Sequence, residues 1–430
     1  MRAGNPEIET HGPIVCREGC YDGSMHDFGR RRALFAERLR GTPAIVPAAR
    51  VAYRSRDTAH RFRQDSDFFY LTGFPEPEAV AVFDGGAFHL FVLPRDPARE
   101  AWDGDRAGVE GAAAFGAQAW PLDRLEPFLS ESFGSADRLA IPLGRHPRLD
   151  AWLASLPSQR KGAGNPEIVD PSSIVGEMRL IKDESEVAAI EAAASISARA
   201  HAEAATRVRP GVGEWEIEAH LEFQFRSRGA EGPAYPSIVG SGRNATTLHH
   251  VRNDRRIEAG DLVLIDAGAE LGGYCADITR TLPADGRFTA PQRAVFEIVA
   301  AAQEAAIARC APGATIDDVQ DAAHAVLAEG LVSLGVIPGP AAQARAEGRQ
   351  KPYTLHRVSH WLGLDVHDAG ATHPGGSPRA LAPRMVLTVE PGLYFRESVP
   401  APEAYRGIGV RIEDDVLVTD GAPRVLSRPG

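Results

Sequence analysis

The sequence predicts an α+β protein, with an N-terminal α/β domain followed by a larger, pseudo-symmetric C-terminal domain. Three observations carry this. At 430 residues the chain exceeds one ordinary domain, and its 43% hydrophobic and 24% charged composition gives a globular chain ample core. Short apolar strands mix with helical stretches through the first third of the chain, the pattern of an α/β layer. A helix, a Pro-Gly break, a second helix and then β-rich sequence occur in that order twice in the remainder.

Residues 1–24 are rich in Gly, Pro and polar side chains without a period, and are read as a flexible tail. Cys16 and Cys20 within it lack the second Cys/His pair that a zinc site requires. The N-terminal domain is assigned to 25–172. It opens with a helix near 26–40, continues with strands at Ala44–Pro47, Ala79–Phe83, His89–Leu93 and Leu139–Ile141, includes a helical stretch at Leu149–Ser155, and closes in the Gly/Pro/Ser-rich linker Gly162–Ser173. The C-terminal domain takes 173–430. Its first long helix begins after Asp183, an N-cap with Glu186 three residues on, as in a capping box. That helix stops at Arg209-Pro210-Gly211, and another runs through Trp215–Arg228. The plan returns with a capped helix from Thr289, a break at Ala311-Pro312-Gly313 and a helix from Thr315. Each helix pair leads into β-rich sequence, Leu262–Leu282 and Met385–Val418, and the functional site is expected where those two β regions meet.

Charge and composition remove several function classes. A formal charge of −11 argues against nucleic acid as a partner, since phosphate binding needs a basic surface. No apolar run approaches the roughly 20 residues of a membrane helix. The Arg30-Arg31-Arg32 stretch leads into an amphipathic pattern and not into the apolar core of a secretory signal. Four cysteines are too few for a disulfide framework in a chain of this size, so the expected place is the cytoplasm.

The residues with chemical promise fall in four segments. In LVLIDAGAELGGYCADITRTL, Asp266 ends an apolar strand, and Asp277 lies near the facing position of a hairpin whose turn contains Gly272-Gly273. A carboxylate there is costly unless paired or metal-bound. LHRVSHWLGLDVHD holds His356, His360 and His367; Gly363 and the apolar alternation make it loop or strand, not helix. MVLTVEPGLYF ends an apolar strand on Glu390, and GIGVRIEDDVLV sets Glu413 beside Arg411 in a β-branched strand. Asp414 and Asp415 read as a turn or an exposed face. Taken alone, either aspartate reads as a turn cap and any one histidine as structural; together they form a ligand set. Four carboxylates with one imidazole balance two divalent cations, and this mostly oxygen shell suits Mn2+ or a similar ion. Two metals about 3.5–4 Å apart can lower the pKa of a shared water and polarise a carbonyl.

At these residues the sequence resembles the Xaa-Pro aminopeptidases, metallopeptidases with the pita-bread fold. The matching stretches are PSIVGSGRNATTLHH, LVLIDAGAELGGYCADITRT, SHWLGLDVHD, MVLTVEPGLY and YRGIGVRIEDD, joined in the N-terminal domain by QDSDFFYLTGFPEPEAV and AWDGDRAG. The resemblance implies two divalent metal ions per subunit, Mn2+ with Co2+ or Zn2+ as alternatives, held by Asp266, Asp277, His360, Glu390 and Glu413. Asp277 and Glu413 would bridge the ions, and Glu390 would also shuttle a proton. His249, His356 and His367 match histidines lining the substrate site: His367 would bond the scissile peptide, and His249 would stabilise the tetrahedral intermediate. Arg411 matches an arginine pairing with a ligand aspartate, and Trp102 a tryptophan that members lend to a neighbouring subunit's site. The implied substrate is a peptide with proline second, the implied assembly a homodimer or homotetramer. The sequence departs from the pattern at Arg384, where the family has Gly, at His250, where Tyr is common, and at Arg357 in HRVSHW. Two alternatives share the motifs: a proline dipeptidase, for which Arg357 or Arg379 would clamp the free carboxylate, and a metal-free peptide-binding module. The retained ligands argue against the latter and against a creatinase-type hydrolase, and the large N-terminal domain argues against a methionine aminopeptidase.

Overall fold

The computed structural model describes residues 26–159 and 164–428, so the expected tail, with Cys16 and Cys20, lies outside the described residues. The chain divides into two compact units: His26–Ile181 with Asp368–Gly375, and Lys182–His367 with Gly376–Gly430.

The first unit opens with the helix Phe28–Leu39, capped by Asp27, whose carboxylate accepts from Arg30 N at 2.8 Å. A six-stranded mixed sheet follows, ordered Gln118–Pro121, Ala87–Val92, Val80–Asp84, Ala44–Pro47, Arg138–Ala140, Glu167–Val169. Its hairpin between Val80–Asp84 and Ala87–Val92 turns on Gly85-Gly86, both at positive φ, as a two-residue turn matching strand twist requires. Ile45, Val80, Val82 and Phe91 pack with Leu129, Phe133, Leu149 and Trp152 of the covering helices into one core. Trp102 lies on the short helix Pro97–Asp103 and is 86% exposed.

The second unit begins on the expected capping box: Asp183 Oδ1 accepts from Glu186 N at 2.9 Å, and Glu186 Oε2 accepts from Asp183 N at 2.9 Å. The helix Glu184–Ala205 then packs against Glu214–Ser227. Ala200, Ala204, Ile217, Leu221 and Phe225 recur at helical spacing and bury against Val239, Val263 and Ile265 of the sheet. That sheet is antiparallel, Ile238–Ser241, Leu262–Asp266, Thr279–Pro283. The second half repeats the plan with helices Ala290–Ile307 and Ile316–Ser333 and the sheet Val386–Val389, Asp414–Leu417, Arg424–Val425. No described helix is long and apolar enough to cross a membrane.

The registers explain where the acids fall. Asp266 is opposite Thr279 in the last pair of one ladder, and Val389 is opposite Asp414 in the last pair of the other. Each half therefore ends a strand pair on two carboxylates, Asp266 with Asp277 and Glu390 with Glu413. The Glu413 amide donates to Thr279 O at 3.1 Å and ties the two ends together. Arg384 adopts a positive φ of 70°, the left-handed region, at a cost of about 1–2 kcal/mol. Its backbone extends the ladder by donating to Val418 O at 2.8 Å, while Met385 N closes the turn on Ala382 O at 3.2 Å.

Candidate active site

Asp266 and Asp277 come together because the chain between them folds back unusually closely. A Cβ on Gly268 would lie 1.7 Å from Ala276 O, so only glycine permits this approach. Gly272 and Gly273, with φ of 59° and 81°, make the turn. Asp266, Asp277 and Glu413 are buried, and Glu390 nearly so. His356, His360 and His367 lie on an irregular loop, not a helix. His360 is set on that loop by its backbone, which donates to Thr388 Oγ1 at 3.2 Å and accepts from Thr388 N at 2.9 Å.

The His360 ring has a defined orientation. Nδ1 donates to Trp361 O at 2.9 Å, which turns Nε2 toward Asp277 Oδ2 and Glu390 Oε1, each 3.5 Å away. Burial disfavours the imidazolium, but the Asp277 hydrogen bond and the Glu390 charge outweigh it and raise the ring to about 9. Burial, only partly offset by His360 and Arg411, lifts Glu390 to about 8. Burial and then the charges of Asp277, Glu390 and Asp266 push Glu413 well above the usual carboxylate range. Asp266 is also raised, by burial first, with Arg411 opposing.

A cluster of acids this crowded calls for cations. Asp277, His360 and Glu413 each offer a ligand atom within 4.8 Å of the others. Glu413 Oε1 is buried without a hydrogen-bond partner among the described residues, an acceptor left open on the ligand side. Hard oxygen donors with one imidazole fit divalent ions such as Mn2+, and the residues present therefore fit a metal centre.

The surrounding side chains hold the acids in place. Arg411 Nη2 donates to Asp266 Oδ2, Nη1 to Tyr394 Oη at 3.0 Å and Nε to Thr279 Oγ1 at 3.1 Å. The Thr279 hydroxyl in turn donates to Glu413 Oε2 at 2.7 Å. His356 Nδ1 donates to Arg357 O at 2.8 Å, so Nε2 accepts from Tyr394 Oη at 2.7 Å. Burial and the Arg411 charge hold His356 neutral, down to about 3. Its Nδ1 lies 3.4 Å from Glu390 Oε2. The His360 and His367 ring centroids are 4.4 Å apart, and the charge of His249 acts on both His356 and His367. Nine of the ten residues singled out in the sequence thus gather here. The tenth, Trp102, belongs to the other unit.

Two expectations change. Asp414 and Asp415 are fully buried, not an exposed turn. Asp415 accepts from the Asp277 amide at 3.2 Å, and Asp414 from Arg280 Nη2 at 2.7 Å and Arg428 Nε at 2.8 Å, so both brace ligand segments. Arg357 donates to Asp317 Oδ1 at 2.8 Å in an exposed ion pair. Tyr235, unremarked in the sequence, places its hydroxyl 2.6 Å from Asp266 Oδ1 and within bonding distance of Asp277 Oδ1. Burial and those two acids hold it protonated. Nothing in AYPSIVG distinguishes such a tyrosine from a core aromatic.

The profile of metallopeptidase family M24 matches residues 188–420, which contain the nine gathered site residues, and that of the aminopeptidase P N-terminal domain matches 28–141. The chain belongs to metallopeptidase family M24, and its second unit has the pita-bread fold. It is similar to the Xaa-Pro aminopeptidase of Escherichia coli strain K12, 39% identical over 92% of this chain and 93% of that protein. Among solved structures, Pseudomonas aeruginosa aminopeptidase PepP matches with a TM-score of 0.90 at 44% identity, over 95% of each chain. Zn-substituted E. coli aminopeptidase P in complex with product matches with a TM-score of 0.90 at 37% identity, over 95% of this chain and 96% of that one.

Proposed function

We propose that this chain is a metalloaminopeptidase that removes an N-terminal residue preceding proline. The observation that carries the reading is the convergence of Asp266, Asp277, Glu390 and Glu413 at the ends of two equivalent strand pairs, with His360 beside them on its loop. The likeness to Xaa-Pro aminopeptidases over nearly the whole chain supports it. These five residues would hold two divalent ions, Mn2+ in preference to Co2+ or Zn2+, which supply Lewis acidity and a water of lowered pKa.

The remaining chemistry belongs to side chains. Glu390, beside both His356 and His360, takes the proton of the attacking water and returns it to the departing proline nitrogen. His367 donates to the scissile peptide, and His249 donates to the oxygen on which charge develops. Arg411 fixes Asp266, and through Thr279 it orients Glu413. Proline's imide lacks an N–H, so a site that polarises the carbonyl from metals and histidines suits a bond that donor-reading peptidases miss.

The test is cleavage by metal-stripped protein, with and without Mn2+, of an Xaa-Pro-Xaa tripeptide and the matching dipeptide. Tripeptide cleavage restored by metal is expected. Cleavage of the dipeptide alone would make the chain a proline dipeptidase, a reading weakened by the Arg357–Asp317 pair, which engages one candidate carboxylate clamp. No cleavage of either peptide would leave a binding module.

The proposal extends to assembly and location. An exposed Trp102 offers a neighbouring subunit a large apolar contact, which supports a homodimer or homotetramer in which it edges the partner's substrate site. Light scattering should give a mass at least twice the monomer's, lowered by Trp102→Ala; a monomeric wild type would refute it. The described cysteines, Cys275 and Cys310, are free thiols, in keeping with a reducing cytoplasm, which cell fractionation tests.

A further inference from the structure

The His249 ring makes no hydrogen bond among the described residues and is exposed, although it lies close enough to His356 and His367 for its charge to act on them. Its position is therefore set by its backbone, within the stretch 241–255. That stretch leaves the strand Ile238–Ser241, makes the 3-10 turn Gly242–Thr246 and returns to pair beside the helix Glu214–Ser227. There Gly211 N donates to Ile257 O at 2.8 Å, and Glu214 N to Arg255 O at 2.9 Å.

One carboxylate holds both ends and the middle of this stretch. Glu214 is the first residue of its helix and fully buried. Its Oε1 accepts from Ser241 N at 2.6 Å, Ser241 Oγ at 2.8 Å and Asn244 Nδ2 at 3.0 Å. Its Oε2 accepts from Arg255 N at 3.0 Å and His250 Nε2 at 3.1 Å. Five donors meet a group with about four lone-pair directions. Charge-assisted bonds of this kind are roughly twice as strong as neutral ones, and the loop gains a single defined course. His250 is one of the five, which gives a purpose to a residue that departs from the family pattern.

Glu214 and His250 also lie near Asp254 in an arrangement that could ligate a cation. The donors directed at both Glu214 oxygens leave no lone pair for one, and Asp254 is exposed and paired with Arg252 at 2.8 Å. The carboxylate is an anchor for N–H and O–H groups.

We propose that Glu214 is a positioning residue for the reaction, setting His249 against the substrate by fixing residues 241–255 through Ser241, Asn244, His250 and Arg255. This rests on the role given to His249 above. Glu214→Gln keeps the shape but turns an NH2 toward groups that themselves donate. It is expected to lower kcat on an Xaa-Pro-Xaa tripeptide about ten- to a hundredfold, as a misplacement of about 1 Å does. Amide exchange across 241–255 should quicken. In a His249→Ala background the same substitution should cost little, because the group it positions is gone. Undiminished kcat, or an equal loss in both backgrounds, overturns the proposal, since a residue that merely stabilises the fold gives equal losses. If Glu214→Gln does not fold, Asn244→Ala, which removes one donor at the middle of the stretch, takes its place in the same cycle. Full activity in His249→Ala overturns the role of His249 and this inference with it. A loss there beside an unaffected Glu214→Gln overturns this inference alone.

Discussion

Glu390→Gln lowers kcat by about 10²–10⁴-fold while leaving the fold intact, the range expected when a positioned acid–base group is removed. The side chain ends the strand Val386–Val389 with its oxygens toward His360 at 3.5 Å and His356 at 3.4 Å, so the amide fits the same space. It loses the ability to exchange a proton and weakens a ligand. Stability should hold, because burial already lifts this acid to about 8 and a neutral isostere removes a charge the site disfavours. Circular dichroism and a melting curve beside steady-state kinetics would check both halves. Wild-type turnover in a folded variant would sink the assignment of Glu390.

Metal removal should abolish activity and lower the melting temperature, with both effects depending on pH. Metal donors must be deprotonated, so binding releases protons, and affinity rises by about tenfold per pH unit for each proton released. Without metal, burial keeps Glu390 protonated up to about 8, and His360, despite its burial, is held by Asp277 and Glu390 to about 9, so both carry protons at neutral pH. The sign for folding follows. Each of these groups is raised above its ordinary value of 4.5 or 6.5. The stability it lends the metal-free fold is present below that ordinary value and is lost as pH rises through 8 and 9. The gap in melting temperature between Mn2+-loaded and metal-free protein should therefore widen from pH 6 to pH 8 in calorimetry. A gap that stays flat, or full activity after chelation, would contradict the metal centre.

Much of this site could be read along the chain because its signals are local. A carboxylate that ends an apolar strand, as Asp266 and Glu390 do, stands out against its own neighbours, and so does a loop holding three histidines. The helix start at Asp183 was legible for the same reason: a cap and its N3 partner are three residues apart, and the box forms. The family motifs add the ligand roles to residues already conspicuous.

The supports of the site were not legible, since each depends on a partner far along the chain. Asp414 and Asp415 read as a solvated pair until Arg280, Gln303, Ser427 and Arg428 close around the first and the Asp277 amide meets the second. Tyr235, Thr279, Tyr394 and Glu214 are ordinary residues in their own segments, and they acquire meaning from what the fold sets against them. Sequence by itself determined which residues carry the charge and where the chain turns, because propensity, capping and strand patterning act over a few residues. Only the tertiary structure decided which acids are neutralised and what holds His249 in place, because burial and hydrogen-bond geometry depend on strands and helices brought together from tens to more than a hundred residues away.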